Sequence, residues 1–369
     1  MNPLFEYIYA GDLERLKSLS PDAAAVGRAD ENGMTPLAFA AAGCPETEVV
    51  SFLIGLGADV NRKDRYGMTP LMYAAMMNPN ADIADLLLEN GAILSEKDEN
   101  GMTPLLWAAK GNQNPDMCAL LAACGADITE TDDKFHVNAL MIAAKENLNP
   151  AVVSSLISWG APVNAKAPNG MTALMFAGGK NINPAVTEAL ITGGAEINAR
   201  DEDGYTALLC AAETNVNPEV VDFLLTHGAK ITDRNKKGAS ALLLAAVKNP
   251  APAVIHALIK NGADIRERDS ALNATPLLWA AALNPNPRVL EALLAEGADL
   301  AETVNGRTVL MAAAGSNPNP AVVGFLLEQG MDPSVEDKAG ATALDYAGNN
   351  PALHDTDALL HLFPVGKSV

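Results

Sequence analysis

Five histidines and four cysteines are the side chains best able to hold a metal or act as nucleophiles. The histidines are scattered, and His354 and His361, seven residues apart, fit one face of a helix better than a metal site. The cysteines show neither metal-type nor redox-type spacing, so we expect reduced thiols. The segment VGKS at 365–368 lacks the upstream glycine of a phosphate-binding loop. We therefore expect a protein that is not an enzyme and that uses no metal and no cofactor.

Composition and charge exclude further classes of protein. Of the 369 residues, 49% are hydrophobic and only 19% are charged, which excludes a disordered chain. The net charge of −20 argues against binding to nucleic acid, because phosphates are neutralised by Lys and Arg. That charge would attract a basic partner, although it also fits a simple role in solubility. The first residues lack the pattern of a signal peptide and no apolar run is long enough for a membrane span, so a cytoplasmic location is expected.

The elements that must position any site are copies of one repeat. The phrase NGMTPL begins at Asn32 and at Asn100, and close variants begin at Tyr66 and Asn169. Its glycine, or the residue replacing it, stands at positions 33, 67, 101, 136, 170, 204, 238, 273, 306 and 340. The spacing of 33 to 35 residues, mostly 34, is typical of a stack of helical repeats.

Each repeat carries the same signals in the same order. Thr after the glycine turn predicts a helix N-cap, and the Pro that follows it in several repeats suits the first helical position. A second helix follows the tetrad Asn-x-Asn-Pro and ends at a glycine suited to a left-handed cap. An extended stretch then leads into the next turn. The sequence thus predicts a helix-turn-helix unit followed by a hairpin loop.

The stretch DENGMTPLAFAAAG and the later TEVVSFLIGLGADVNRKD together resemble the ankyrin repeat. The resemblance covers essentially the whole chain and implies an all-α repeat solenoid of about eleven units, including two caps. We expect a single domain over 1–369, with an N-terminal cap at 1–30, nine internal repeats at 31–336 and a C-terminal cap at 337–369. The family's histidine after Thr-Pro-Leu is missing, and the Asn tetrad replaces its usual Gly-His joint between the helices.

The first Asn of the tetrad recurs in eight successive repeats. Stacked repeats would place these amides in a row, where each could bond loop backbone or its neighbour. We expect this asparagine ladder to be structural and to replace the missing joint. Its members are Asn78, Asn112, Asn147, Asn181, Asn215, Asn249, Asn284 and Asn317.

Two apolar series suggest a binding surface. One follows the turn glycine, near the expected hairpin tip, where methionine is unusual and adaptable. The other lies two residues after the leucine of Thr-Pro-Leu, on a face that helical periodicity turns away from the core. The partner-binding residues predicted from these series and from aromatics beside the turns are Met34, Tyr66, Met68, Met102, Phe135, Met171, Tyr205, Phe39, Tyr73, Trp107, Phe176 and Trp279.

The two series predict a protein–protein interaction scaffold. Its apolar, acid-rimmed concave groove would bind a helix or extended segment of another protein, possibly one with basic and apolar residues. Two alternatives stay open. The apolar strip could close a homo-oligomer, making the chain a structural or self-associating subunit. The aromatic side chains could instead pack between repeats, with the methionines filling gaps left by the missing histidines.

Overall fold

The computed structural model describes residues 3–363 and divides the chain into two compact units. Unit 1 comprises the residues up to Ala177 together with Ala185–Glu196. Unit 2 comprises Gly178–Pro184 and the residues from Ile197 onward. The organisation as one domain over 1–369 stays a prediction, and the segment VGKS lies outside the described residues.

The regular secondary structure of the described chain consists almost entirely of short helices. These are α1 Pro3–Tyr9, α2 Leu13–Ser18, α3 Ala23–Val26, α4 Pro36–Gly43, α5 Thr47–Gly55, α6 Pro70–Met77, α7 Ala81–Glu89, α8 Pro104–Gly111, α9 Pro115–Ala123, α10 Ala139–Glu146, α11 Pro150–Ser158, α12 Ala173–Lys180, α13 Pro184–Thr192, α14 Ala207–Thr214, α15 Pro218–Thr226, α16 Ala241–Lys248, α17 Pro252–Lys260, α18 Pro276–Leu283, α19 Pro287–Ala295, α20 Val309–Ser316, α21 Pro320–Glu328, α22 Ala343–Ala347 and α23 Asp357–Leu360. A 3-10 turn covers Pro351–Leu353, and strands β1 (Thr303–Val304) and β2 (Arg307–Thr308) form an antiparallel hairpin.

From α4 to α21, each repeat contributes a first helix of eight residues and a second helix of nine. First helices pack on first helices, as α4 does on α6 and α6 on α8 in unit 1, and as α14 does on α16 in unit 2. Second helices form a parallel layer, with α7 against α9 in unit 1 and α15 against α17 in unit 2. Within each unit this is the regular all-α stack that the repeat pattern predicts.

The helix starts follow from local chemistry. The Oγ1 of Thr103 accepts a hydrogen bond from the backbone N–H of Leu106, and Pro104 takes the first helical position. The second helix α9 begins in the same way, because Asn114 Oδ1 accepts from the backbone N–H of Asp116 at 3.0 Å. Apolar residues between these caps are then buried against the neighbouring repeats of the unit.

The hairpin turns require a left-handed backbone. At Gly101 a side chain would also collide with the next hairpin, because an added Cβ would lie 2.5 Å from the backbone nitrogen of Asp133. Two repeats have no glycine at this position, and there His136 and Asn273 keep φ values of 52° and 55°. The turn geometry is therefore retained where the glycine has been replaced.

The eight asparagines predicted as a ladder are almost fully buried. In unit 1, Asn112 Nδ2 donates to the carbonyl oxygens of Ala75 (2.9 Å) and Asn78 (2.8 Å) in the preceding repeat. Its Oδ1 accepts from the backbone N–H of Asn114 at 2.9 Å, so one side chain joins two repeats and shapes its own loop.

Unit 2 repeats this hydrogen-bonding arrangement. Asn249 Nδ2 donates to the carbonyl oxygens of Ala212 (2.9 Å) and Asn215 (2.8 Å). Asn350, which sequence reasoning missed, does the same toward Ala314 and Asn317. It was missed because its repeat has lost the tetrad's spacing, although it lies 33 residues after Asn317 and is itself followed by proline.

Candidate functional site

The methionines predicted at the hairpin tips lie deeper than expected. Met68 and Met102 are only 6% and 7% exposed. Both side chains are buried because the residue after the glycine lies at the base of the hairpin rather than at its tip, and their contact with a partner stays a prediction. There the backbone N–H of Met68 donates to Asp64 Oδ1 at 2.9 Å, and its carbonyl accepts from the Asp64 N–H. Met34, Met171 and Tyr205, at the same position of other repeats, are partly exposed.

The true hairpin tip is the residue before the glycine position. Tyr66 is 47% exposed there, and Phe135 is 62% exposed. Asp132 holds the Phe135 loop, because its Oδ2 accepts from the Phe135 N–H (3.1 Å) and its Oδ1 from the Val137 N–H (2.8 Å). Asp132 is itself buried. Phe135 is therefore presented to solvent by an ordered loop.

The aromatic residues of the first helices are half-buried rather than free. Phe39 packs edge-on against Phe5, with ring centroids 5.2 Å apart. Tyr73 and Trp107 instead donate to aspartates at the base of their own hairpins. Tyr73 Oη lies 2.7 Å from Asp64 Oδ2, and Trp107 Nε1 lies 3.2 Å from Asp98 Oδ2. Burial, together with the bond to Asp64, raises the pKa of the Tyr73 hydroxyl.

The same pairing of aspartate and ring occurs in unit 2. Trp279 Nε1 donates to Asp269 Oδ2 at 2.6 Å. Burial raises the pKa of Asp269, but the hydrogen bonds that its carboxylate accepts from backbone N–H groups and from Trp279 outweigh burial, so its pKa lies below the usual range. Phe176 cannot donate, and the corresponding hairpin position in its repeat is Ala167. An Asp nine or ten residues before a Tyr or Trp was thus a readable signal that sequence reasoning missed.

Four of the predicted residues come together in one groove of unit 1. This groove has a volume of about 590 Å³ and lies along α8, α10 and α12 and the hairpins that precede them. Its main apolar lining is Met102, Trp107, Phe135, Val137, Ile142 and Phe176. Of the other predicted residues, Met34, Phe39, Tyr66, Met68, Tyr73 and Met171 do not line it, and Tyr205 and Trp279 belong to unit 2.

The lining of this groove carries charged residues of both signs. Lys110, Lys134 and Lys145 line it together with Asp132 and Glu146. The carboxylates expected from the net charge are thus in the minority in this lining, since the charge of the whole chain does not locate its carboxylates. Elsewhere in unit 1 carboxylates pair with lysines between hairpins, as Glu96 does with Lys63 (2.6 Å).

In residues 3–363 no group of three or more His, Cys, Asp or Glu side chains is placed to hold a metal ion. Burial raises the pKa of the Cys118 and Cys210 thiols to about 12, so neither is a ready nucleophile at neutral pH. None of the helices in the described part of the chain combines the length and apolarity needed to cross a membrane.

Comparison with known families agrees with this architecture. The profile described as "Ankyrin repeats (3 copies)" matches residues 4–98, 46–132, 105–201, 140–235, 174–269 and 277–363. The chain therefore belongs to the ankyrin repeat family. Comparison with curated proteins finds no significant match. Repeats of this kind serve in protein–protein interaction, so the groove of unit 1 is best understood as a candidate surface for another protein.

Proposed function

We propose that this protein is a non-enzymatic scaffold that binds a segment of a partner protein in the groove of unit 1. The observation that carries the proposal is Phe135, a large apolar side chain 62% exposed beside a groove that also contains Trp107 and Phe176. Exposed aromatic residues that border a concave apolar surface are typical of the energetically dominant part of protein interfaces. Solvation alone gives no reason for such an arrangement.

The groove is held ready for binding by hydrogen bonds that do not involve a partner. Asp98 fixes the edge of the Trp107 indole, and Asp132 fixes the loop that carries Phe135. A side chain that is already ordered loses less conformational entropy when a partner covers it. This arrangement favours binding of a short helix or extended segment. Such a small partner makes few contacts, so the entropy cost of ordering the groove would otherwise weaken its affinity.

A cytoplasmic location forms part of the proposal. All four cysteines are free, and Cys124 is exposed to solvent. Thiols in this state are typical of proteins in a reducing compartment. Fractionation of the cells that produce the protein, with detection by antibody, checks this point, and recovery in an oxidising compartment would contradict it.

Selection from a random twelve-residue peptide library displayed on phage tests the binding function. Wild-type protein is compared with a Phe135→Ser, Phe176→Ser variant and with Trp159→Ser as a matched control. Trp159 is 46% exposed and does not line the groove. We expect the groove variant to recover the selected peptides at least tenfold less well and the control to match wild type. Equal recovery by all three folded proteins would refute the assigned surface.

Light scattering after size-exclusion chromatography tests the self-associating alternative. The proposal expects a wild-type monomer whose mass is unchanged in the groove variant. A dimer that dissociates on replacement of Phe135 and Phe176 would instead show that the same apolar surface closes a homo-oligomer.

A further inference from the structure

Two groups of basic residues lie beside the hairpins of unit 1. In the first, lysines in the extended stretches form ion pairs with the next hairpin. Lys63 Nζ lies 2.6 Å from a Glu96 carboxylate oxygen, and Lys97 Nζ lies 2.9 Å from a Glu130 oxygen. These cations are locally neutralised and tie neighbouring repeats together.

The second group stands at the aromatic hairpin tips. Arg65 and Lys134 have no carboxylate within 4.0 Å among the described residues. Each instead lies over an aromatic ring beside it in the chain. The Arg65 guanidinium carbon is 4.8 Å from the Tyr66 ring centroid, and Lys134 Nζ is 5.2 Å from that of Phe135. A ring attracts the cation without cancelling its charge. Each tip therefore carries an aromatic ring beside a cation that forms no ion pair, although Asp30 and Glu31 also act on Arg65 from a greater distance.

The groove interior also holds more cations than available carboxylates. Lys110 Nζ lies 5.0 Å from the Trp107 ring centroid and 3.7 Å from Glu146, a carboxylate that also pairs with Lys145 at 2.9 Å. Two cations thus share one carboxylate. The Asp132 carboxylate is buried and accepts backbone N–H groups, so it is not available to a partner. Among the charged residues that line the groove, lysines exceed carboxylates although the whole chain carries a net charge of −20.

We propose that the partner is an acidic protein segment in which Asp or Glu residues flank apolar or aromatic anchors. The anchors would cover Phe135, Trp107 and Phe176, and the carboxylates would approach Lys134, Lys145 and, two hairpins away along the stack, Arg65. A basic segment would be repelled at each of these points, and a purely apolar one would leave them unpaired. This inference rests on the proposed function, because it specifies the partner of the same groove.

The phage-displayed peptide library described above also tests this chemistry. Peptides enriched on wild-type protein are sequenced, and the selection is repeated on an Arg65→Glu, Lys134→Glu variant. The matched control is Lys17→Glu with Lys260→Glu, which changes net charge equally at exposed lysines outside the groove. Circular dichroism establishes that each variant folds.

We expect peptides enriched in Asp and Glu next to Phe, Leu or Trp. Their affinity for the tip variant, measured by fluorescence anisotropy, should fall about tenfold, with little change for the control. It should also weaken as NaCl rises from 50 to 300 mM. Selection on the tip variant should shift toward Lys and Arg.

Two results are informative in different ways. One is enrichment of peptides that depend on Phe135 and Phe176 but carry no excess of Asp and Glu, or that bind the tip variant as well as wild type. Either outcome would overturn the proposal of an acidic partner but not the assignment of the groove as the binding surface. Enriched peptides that ignore replacement of Phe135 and Phe176 overturn the proposed function as well.

Discussion

Replacement of Asn112 by alanine removes three buried hydrogen bonds at once. The side chain is only 3% exposed. Its Nδ2 donates to the carbonyl oxygens of Ala75 and Asn78, and its Oδ1 accepts from the backbone N–H of Asn114. A typical hydrogen bond contributes about 1 kcal/mol, and a buried group left without a partner costs about 1–3 kcal/mol. We therefore expect Asn112→Ala to lower the free energy of unfolding by about 3 kcal/mol or more.

The neighbouring Asn114 provides the matched control. It is partly exposed, caps α9 and donates to the carbonyl of Pro79 at 2.9 Å. Loss of such a cap costs only about 1 kcal/mol, because water can form some of the hydrogen bonds that the Asn114 side chain made. Urea unfolding followed by circular dichroism at 222 nm measures both variants. Where the slope is about 3 kcal/mol/M, Asn112→Ala should shift the midpoint by about 1 M and Asn114→Ala by about a third of that.

Hydrogen exchange gives a local check on the same variant. The amide of Asn114 donates to Asn112 Oδ1 and should lose its protection in Asn112→Ala. An Asn112→Ala variant no less stable than Asn114→Ala, or an Asn114 amide that stays equally protected, would contradict this prediction. Either result would show that stacking of apolar faces, rather than the asparagine ladder, holds these repeats in register.

Three further predictions concern other parts of the repeat. Met102→Ser should lower the free energy of unfolding, measured by urea denaturation, by about 3 kcal/mol because the methionine is buried. An unchanged value would contradict that burial. His136→Val should cost about 1–2 kcal/mol by calorimetry, because a β-branched residue avoids the φ of 52°, whereas His136→Gly should not destabilise; equal behaviour of the two would contradict the turn assignment. Although burial opposes it, hydrogen bonding lowers the pKa of Asp269 below its usual value of about 4, so the stability it contributes is present above that pH and is lost as pH falls through the lower, folded-state pKa. The indole N–H resonance of Trp279 should follow this titration, and a midpoint at or above about 4 would refute it.

The repeat, its caps and its turns could be predicted because their signals are local. A Thr-Pro pair starts a helix and a glycine ends one through contacts within a few residues, as α8 illustrates. The asparagines could be placed in a row because a fixed period brings equivalent positions together. Asn350, which makes the same hydrogen bonds, was not predicted as a member of the ladder because its own tetrad is incomplete.

The site was harder to predict because it depends on which backbone groups pair across each hairpin. The backbone N–H of Met68 bonds to Asp64, which places the methionine at the hairpin base and Tyr66 at the tip. This difference in position decides which of the two side chains is exposed. The groove depends on one atypical hairpin, in which His136 replaces glycine and Asp132 holds the loop of Phe135. Its charge could not follow from the total of −20, since ion pairing between hairpins removes carboxylates from some surfaces and not from others.

The most direct test of the binding groove is to map a bound peptide without mutating the protein. A peptide enriched from the random library on wild-type protein is synthesised with a photoreactive group at its centre, irradiated in complex, and the labelled residues are identified by mass spectrometry. We expect labels on the Lys134–Val137 loop and on α8 and α12, which carry Trp107 and Phe176. Labels concentrated instead on the second helices or on the asparagine loops would contradict the central claim.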